Sequence, residues 1–279
     1  EQYSCSVMYS SQWSQLERKK EAGYVKKSLK IVLTVLCIIF ICVFAFSGYK
    51  LYSTIHEYKV AEKMYDGLSG QFVTAGNKDK PQNPEEEEVE TSPISVDFET
   101  LLAQNEDVTG WIYSAETPIN YPIAKAEDNF YYLHRFLDGS YNASGTLFMD
   151  CLCEKDFSNR NSLVYGHNMN DGSMFASLKQ YNSQEYYDQH PVMYLNTPTQ
   201  NYRIELFAGY VTDADSDTYT IGFTDDAAYQ AFLEKMKSQS DFTSNVEVGT
   251  EDRIVTLSTC SYEYYDARYV VQGKLVPIN

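Results

Sequence analysis

The sequence lacks the cysteine spacings that hold a zinc ion or a small disulfide scaffold together. It contains six cysteines in 279 residues, and no two of them form a Cys-x-x-Cys pair. A bridge between Cys151 and Cys153 would close a very small, strained ring. With Cys5, Cys37 and Cys42 in the N-terminal part, Cys260 has no evident partner. We therefore expect a free thiol at Cys260, no metal site and no cofactor.

Positive charge is also scarce in most of the chain. Lys and Arg number 22 against 39 Asp and Glu, which gives a formal net charge of −17. Basic residues cluster before position 31, at Arg18, Lys19, Lys20, Lys26, Lys27 and Lys30. The remainder is strongly acidic and would repel phosphate backbones, so nucleic acid is excluded as a partner.

One uncharged run, residues 31–48, interrupts the chain after the basic cluster. As a helix it would span roughly 27 Å, about the thickness of a bilayer's hydrocarbon core. A buried core helix and a cleaved signal peptide are the alternatives; the run exceeds a usual signal-peptide core, and no clear cleavage site follows. The positive-inside rule places residues 1–30 in the cytoplasm and the part after Gly48 outside. We expect a single-pass anchor in the cell membrane.

Residues 49–96 read as a juxtamembrane helix over 54–68 followed by an acidic stalk over 70–93 with three prolines. The stalk carries the run Glu85–Glu88. An outer catalytic domain is predicted for residues 97–279.

The outer domain is predicted to be mostly β, with a few helices. Short apolar runs separated by turns predict eight strands, the number expected of a closed barrel or a sandwich. They are GWIY, INYPIA, GTLFMD, NSLVYG, PVMYLNT, NYRIELFAGYV, EDRIVTLSTC and ARYVVQGKLVPI. Ser95 is predicted to cap an early helix. A later helix over 224–239 is predicted with Thr224 as its cap and Ala228, Phe232 and Met236 on its buried face.

The segment TLSTCSYEYYDARYVV, residues 256–271, ends a predicted strand with a cysteine and begins the next one near an arginine. Strand alternation places Ser258 and Cys260 on one face, and the short connector should return Arg268 close to the thiol. A guanidinium there could lower the thiol pKa or bind an oxyanion. The alternatives are a buried inert cysteine and a salt bridge between Arg268 and Asp266.

A nucleophilic cysteine needs an acid/base partner, usually a histidine. His167 follows an apolar strand and a glycine, a strand-end placement like that of Cys260. The other histidines, His56, His134 and His190, have no comparable position.

Several segments together resemble class B sortases. They are TLSTC with the downstream Arg268, NEDVTGWIY, INYPIAKAEDNFYYLHRF, SGTLFMD and VYGHNMNDGSMFASLKQY, in the family's order. The resemblance covers about residues 98–276. It implies a closed eight-stranded barrel with an N-terminal helical part and a helix between the late strands.

The resemblance also implies the roles of individual residues. Cys260 would be the nucleophile, His167 the general acid/base, and Arg268 the group that positions and stabilises the substrate carbonyl. Substrate contacts are expected at Ser258, Thr259, Tyr219, Thr220 and Ile221, with a buried strand-face serine as the alternative for Ser258. Glu263 and Asp266 are candidates for orienting His167.

The implied reaction cleaves an LPXTG-like sorting signal after threonine, with Asn-Pro or Ser-Pro variants typical of class B, and transfers the acyl group to a peptidoglycan-precursor amine. A pilin lysine is an alternative acceptor. The rival functions are another cysteine hydrolase, although the papain-type and caspase-type signatures are absent, and a non-catalytic wall-binding or adhesion module.

Overall fold

A computed structural model of the chain describes residues 2–76, 90–261 and 263–279. The chain separates into two compact units, one ending at His56 and one spanning Glu57–Asn279.

The first unit is helical. It belongs to α1 (Gln2–Phe72), which contains the whole uncharged run 31–48. The large apolar side chains from Ile31 to Phe46 are 45–82% exposed. The helix is long and apolar enough to cross a membrane by length and composition, with a mean hydropathy of 2.9 in its most apolar window.

The second unit begins with the last turns of α1. Ala61, Tyr65 and Phe72 are buried there, and the Tyr65 hydroxyl donates a hydrogen bond to the carbonyl of Gly145. β1 (Val73–Ala75) then pairs antiparallel with β2 (Ile94–Val96). The packed unit therefore starts earlier than the predicted residue 97, because these buried side chains and strands belong to it.

The predicted stalk is consequently wrong at both of its ends. Its first residues belong to α1 and β1. Near its other end, Ser92 is buried, and its hydroxyl donates a hydrogen bond to the Asn196 side-chain oxygen. Residues 77–89, with the glutamate run, lie outside the described residues.

The remaining elements alternate short strands with a few helices. The helices are α2 (Phe98–Gln104), α3 (Gln184–Gln189) and α4 (Asp226–Ser238), with 3-10 helices at Tyr132–His134, Ala176–Asn182 and Asp217–Tyr219. The strands are β3 (Val108–Tyr113), β4 (Asn120–Ala124), β5 (Leu147–Met149), β6 (Asn161–Tyr165), β7 (Val192–Asn196), β8 (Asn201–Asp213), β9 (Ile254–Cys260) and β10 (Ala267–Ile278).

These last eight strands close into a barrel in the order β10-β8-β7-β3-β4-β5-β6-β9. The predicted fold class is confirmed, and each predicted strand run overlaps one barrel strand. Two neighbouring pairs, β4–β5 and β6–β9, are parallel, and the other pairs are antiparallel. Closure leaves no edge strand in the barrel.

Strand β9 is buried on both faces because two different cores cover it. Val255 and Leu257 belong to the main core, whereas Ile254 packs with the cluster formed by α4, β8 and β10. The sequence alternation predicted this division of faces. It leaves Ser258 and Cys260 on the same side as Ile254.

Both predicted helix caps are wrong by one or two positions. Asp97, not Ser95, accepts the capping bond of α2 from the Thr100 amide, 3.1 Å away. Asp225, not Thr224, caps α4 through the Ala228 amide at 2.8 Å. Aspartate is as good an N-cap as serine or threonine, so composition did not separate the candidates.

The buried face of α4 also differs from the prediction. Phe232 and Met236 are buried as expected, but Ala228 is exposed, and Tyr229 and Leu233 are buried instead. The i, i+4 pairs Tyr229–Leu233 and Phe232–Met236 therefore form the contact stripe.

Gly145 holds the 3-10 segment Tyr132–His134 close to the barrel. Its φ is +55°, and a Cβ built on it would lie 2.3 Å from the Leu133 carbonyl oxygen and 2.5 Å from that of Tyr132. The amide of Thr146 also donates to the Tyr132 carbonyl, at 2.9 Å. A side chain at position 145 would therefore push this backbone segment away.

We predict that Gly145→Ala lowers the free energy of unfolding by about 1–3 kcal/mol more than Gly172→Ala. Gly172 is the matched control, since it also has a positive φ, +86°, but no atom within 4 Å of a built Cβ. Both variants carry the left-handed backbone cost, so the difference reports the steric clash. Chemical denaturation of the full chain measures it; equal losses in the two variants would contradict the packing argument.

Candidate active site

The site lies where strands β6 and β9 end and strand β10 begins. β6 and β9 run parallel, with Tyr165 opposite Ser258, and the Gly166 amide extends the ladder to the Ser258 carbonyl at 3.0 Å. Parallel strands present their carboxyl ends at one edge of a sheet. His167 and Cys260 therefore leave the barrel at the same edge.

Gly166 permits this approach through its lack of a side chain. A Cβ at Gly166 would lie 2.4 Å from the Leu147 side chain and 2.7 Å from that of Phe175. Its φ is not positive, so close packing rather than a special turn conformation requires glycine before His167.

Arg268 faces Cys260 directly across the antiparallel pair β9–β10. Directly opposed residues share a sheet face, with Cβ atoms about 4.5–5.5 Å apart. The Arg268 Nη1 donates to the Ala267 carbonyl at 3.1 Å. No ion pair joins Arg268 to Asp266 or to another acid within residues 90–261 and 263–279, so the predicted salt-bridge alternative is not formed.

His167 is oriented by a backbone carbonyl. Its Nε2 lies 2.7 Å from the Leu133 oxygen, and because a carbonyl can only accept, Nε2 carries the hydrogen. The neutral ring can then take up a proton only at Nδ1. Glu263 pairs with Lys179 at 3.2 Å, and no described contact joins Glu263 or Asp266 to His167.

The electrostatic surroundings of His167 favour its neutral form. Burial lowers the pKa of His167 below its ordinary value of 6.5, the Leu133 carbonyl opposes that shift, and the nearby His134 adds to it. Burial of an imidazole disfavours the charged form because the interior solvates the cation poorly.

A cavity of about 240 Å³ joins most of the predicted residues. Six of the eight line it: Cys260, His167, Arg268, Ser258, Thr259 and Tyr219. A larger cavity of about 590 Å³ beside β1 and β2 contains none of them. We place the site in the smaller cavity, which holds a thiol, an imidazole and a guanidinium.

Thr220 and Ile221 do not line the cavity. The Thr220 hydroxyl donates to the Asp217 carbonyl at 2.7 Å, and its own carbonyl accepts from Asn161 at 2.9 Å. Ile221 packs against the main core. Both residues fix the segment that carries Tyr219.

Ser258 and Tyr219 form one unit in the wall of the cavity. Their hydroxyl oxygens are 2.9 Å apart, and Ser258 is buried. Burial raises the pKa of Tyr219, with the Ser258 bond and the charge of Arg268 opposing it, so the Tyr219 phenol stays neutral. Thr259 is also buried, on the opposite strand face, where its hydroxyl has no partner among the described residues.

Several cavity residues were not identified from the sequence. Asn129 and Tyr165 line the cavity, and both donate to the Asp150 carboxylate at 2.9 Å. Asn168 is not part of the lining, but it donates to the Cys260 carbonyl at 2.8 Å. The proximity of Asn168 to His167 in the chain was the one available signal. Within the described residues no cluster of His, Cys, Asp or Glu could hold a metal ion.

The comparisons with known proteins agree with this geometry. A family model described as the sortase domain matches residues 119–276. Sortase B of Listeria monocytogenes is 35% identical over 92% of this chain and 99% of its own length. Sortase B of Staphylococcus aureus is 30% identical over 90% of this chain and 99% of its own.

The chain belongs to the sortase family, class B.

Solved structures show the same fold. Sortase B from Bacillus anthracis in complex with AAEK1 has a TM-score of 0.67 at 33% identity, covering 80% of this chain and 99% of that one. A Staphylococcus aureus sortase B–substrate complex has a TM-score of 0.63 at 33% identity, covering 65% and 85%. This sortase is therefore a cysteine transpeptidase of surface-protein anchoring that acts on sorting-signal peptides.

The lowered pKa of His167 predicts a pH-dependent stability. The unfolded chain binds a proton at the ordinary value of 6.5 more readily than the folded chain does, so the folded state loses stability as the pH falls through that value toward the lower folded pKa. His167→Gln cannot take up this proton. Its free energy of unfolding should therefore fall less than that of the wild type between about pH 7.5 and about pH 5.5.

Denaturant titrations at each pH measure this difference. His190→Gln is the control, because it removes a histidine outside the cavity and shows how the loss of an unrelated histidine changes the free energy of unfolding. Parallel curves for the wild type and His167→Gln would contradict the lowered pKa.

Proposed function

We propose that this sortase cleaves a sorting signal after its threonine through a Cys260 thioester and transfers the acyl part to an amine. The observation that carries the proposal is the single edge at which the ends of β6, β9 and β10 deliver His167, Cys260 and Arg268 to one cavity. Nucleophile, acid/base and oxyanion donor are the three groups that acyl transfer needs.

The chemistry follows from these positions. His167 takes the thiol proton, and the Cys260 thiolate attacks the carbonyl carbon of the threonine. Arg268 stabilises the oxyanion; the carbon–nitrogen bond then breaks as His167 returns its proton to the departing amine. An incoming amine attacks the thioester, gives a proton to His167, and releases the thiolate.

The substrate is proposed to be an LPXTG-like signal of the class B type, Asn-Pro-x-Thr or Ser-Pro-x-Thr. The Tyr219–Ser258 pair and the Thr259 backbone lie in the cavity wall beside the thiol, where they can contact such a peptide. The acceptor is proposed to be the cross-bridge amine of a peptidoglycan precursor. A pilin lysine is the second candidate, and the chemistry of attack is the same for both.

We further propose that residues 31–48 span the cell membrane once, with residues 1–30 in the cytoplasm and the catalytic unit outside. The exposed apolar side chains of α1 and the basic cluster that precedes them support this orientation. An anchored enzyme would meet exported substrates and membrane-bound wall precursors on the same surface.

The test is the product formed by the full chain in detergent micelles. The substrates are Leu-Pro-x-Thr, Asn-Pro-x-Thr and Ser-Pro-x-Thr peptides, each with triglycine or a lysine peptide. We expect an amide adduct, which mass spectrometry distinguishes from the hydrolysis product. Cys260→Ala, His167→Ala and Arg268→Ala should each lose roughly 100-fold or more in kcat/KM.

Two matched variants sharpen this test. Cys151→Ala removes another half-buried thiol and should retain wild-type turnover. Arg268→Lys keeps the charge but not the planar fork and should recover only part of the rate. Hydrolysis without an adduct would favour a hydrolase, and turnover unaffected in Cys260→Ala would reject the nucleophile. No product with any peptide would favour a wall-binding module.

A further inference from the structure

A second histidine lies against the face of His167. The rings of His134 and His167 have their centroids 5.3 Å apart and their planes within 17° of parallel. The Nδ1 atom of His134 is buried and has no hydrogen-bond partner among the described residues. A buried, unpartnered ring nitrogen beside a proposed acid/base residue is a costly arrangement and needs an explanation.

The backbone that carries His134 is held in place. The His134 carbonyl accepts from the Asn142 amide at 3.0 Å, and the Tyr132 carbonyl accepts from Thr146 at 2.9 Å. The next residue back, Leu133, supplies the carbonyl that binds His167. One short segment thus fixes the imidazole of His167 at its edge through Leu133 and on its face through His134.

Four ionisable side chains share the cavity with His167: Tyr165, Tyr219, Cys260 and Arg268. Tyr141 faces His134 with ring centroids 5.9 Å apart, and Arg135 directs its guanidinium onto the Tyr131 ring, 4.9 Å from the centroid. Burial and the charge of His134 lower the pKa of His167, and the Leu133 carbonyl opposes them. A positive charge on His134 therefore opposes a positive charge on His167.

We propose that His134 is a positioning residue that holds the ring plane of His167 and, when protonated, disfavours the imidazolium form of His167. The inference rests on the proposed function insofar as His167 is the acid/base. Like charges on two stacked rings repel, so a positive charge on His134 makes the imidazolium form of His167 less favourable.

The first experiment follows the ring protons of histidine by NMR across a pH titration of the full chain in detergent micelles. His134→Phe keeps a flat ring and removes the charge, so the titration midpoint of His167 should move to higher pH. His134→Gln removes the charge with a smaller side chain and serves if the Phe variant does not fold. His190→Phe, whose ring contacts Tyr186 instead, should leave the His167 midpoint unchanged.

A midpoint of His167 that stays the same or falls in the charge-removing variants would overturn the electrostatic role. This readout needs no substrate, so it decides the proposal even if no sorting peptide is turned over.

The second experiment separates positioning from charge by kinetics. His134→Ala loses the stacked ring, and its kcat should fall roughly 10-fold with little change in KM, because the acid/base loses its orientation. His134→Phe should restore most of kcat near neutral pH. Wild-type kcat in His134→Ala would overturn the positioning role.

Discussion

The parallel pairing of β6 with β9 is the contact on which the site depends. Its register, from Asn161 opposite Ile254 to Tyr165 opposite Ser258, sets which residues reach the shared edge. A slip of one residue would turn Cys260 to the opposite face. Two buried side-chain hydrogen bonds across the strands hold this register. Gln272 of β10 donates to the Thr256 hydroxyl at 3.0 Å, and Thr256 donates to the Asn161 side chain at 2.7 Å. Because unsatisfied buried groups are costly, these bonds specify one alignment of three strands.

The positions of the proposed catalytic groups follow from this alignment. β10 places Arg268 directly opposite Cys260, and the extension of β6 brings His167 beside them. The Leu133 carbonyl then selects the tautomer of His167, and burial keeps its ring neutral. If His167 is the base, as proposed, a backbone carbonyl orients its ring in place of a carboxylate. The site therefore differs in its orienting group from Ser-His-Asp triads, where an acid holds the ring.

Much of the barrel could be predicted because its strands carry the signals that strands need. Alternation, turn residues and length located all eight, and the faces of β9 followed from the order of Val255, Thr256 and Leu257. The three proposed catalytic residues were found through the family's motifs, since spacing alone does not show that Cys260 and His167 meet. The orienting carbonyl of Leu133 gave no signal, because any residue type supplies a carbonyl. The start of the packed unit was missed because the helix at Tyr65 joins the core only through distant contacts such as Gly145.

The central claim is that the thiol at this strand edge becomes acylated. Its most direct test is the intact mass of the full chain after mixing with an Asn-Pro-x-Thr peptide, without any amine, and quenching in acid. We predict a mass increase equal to the acyl fragment, located at Cys260 by peptide mapping, released by hydroxylamine and absent from Cys260→Ala. Cleaved peptide without an adduct, or an adduct on Cys151 instead, would contradict the account.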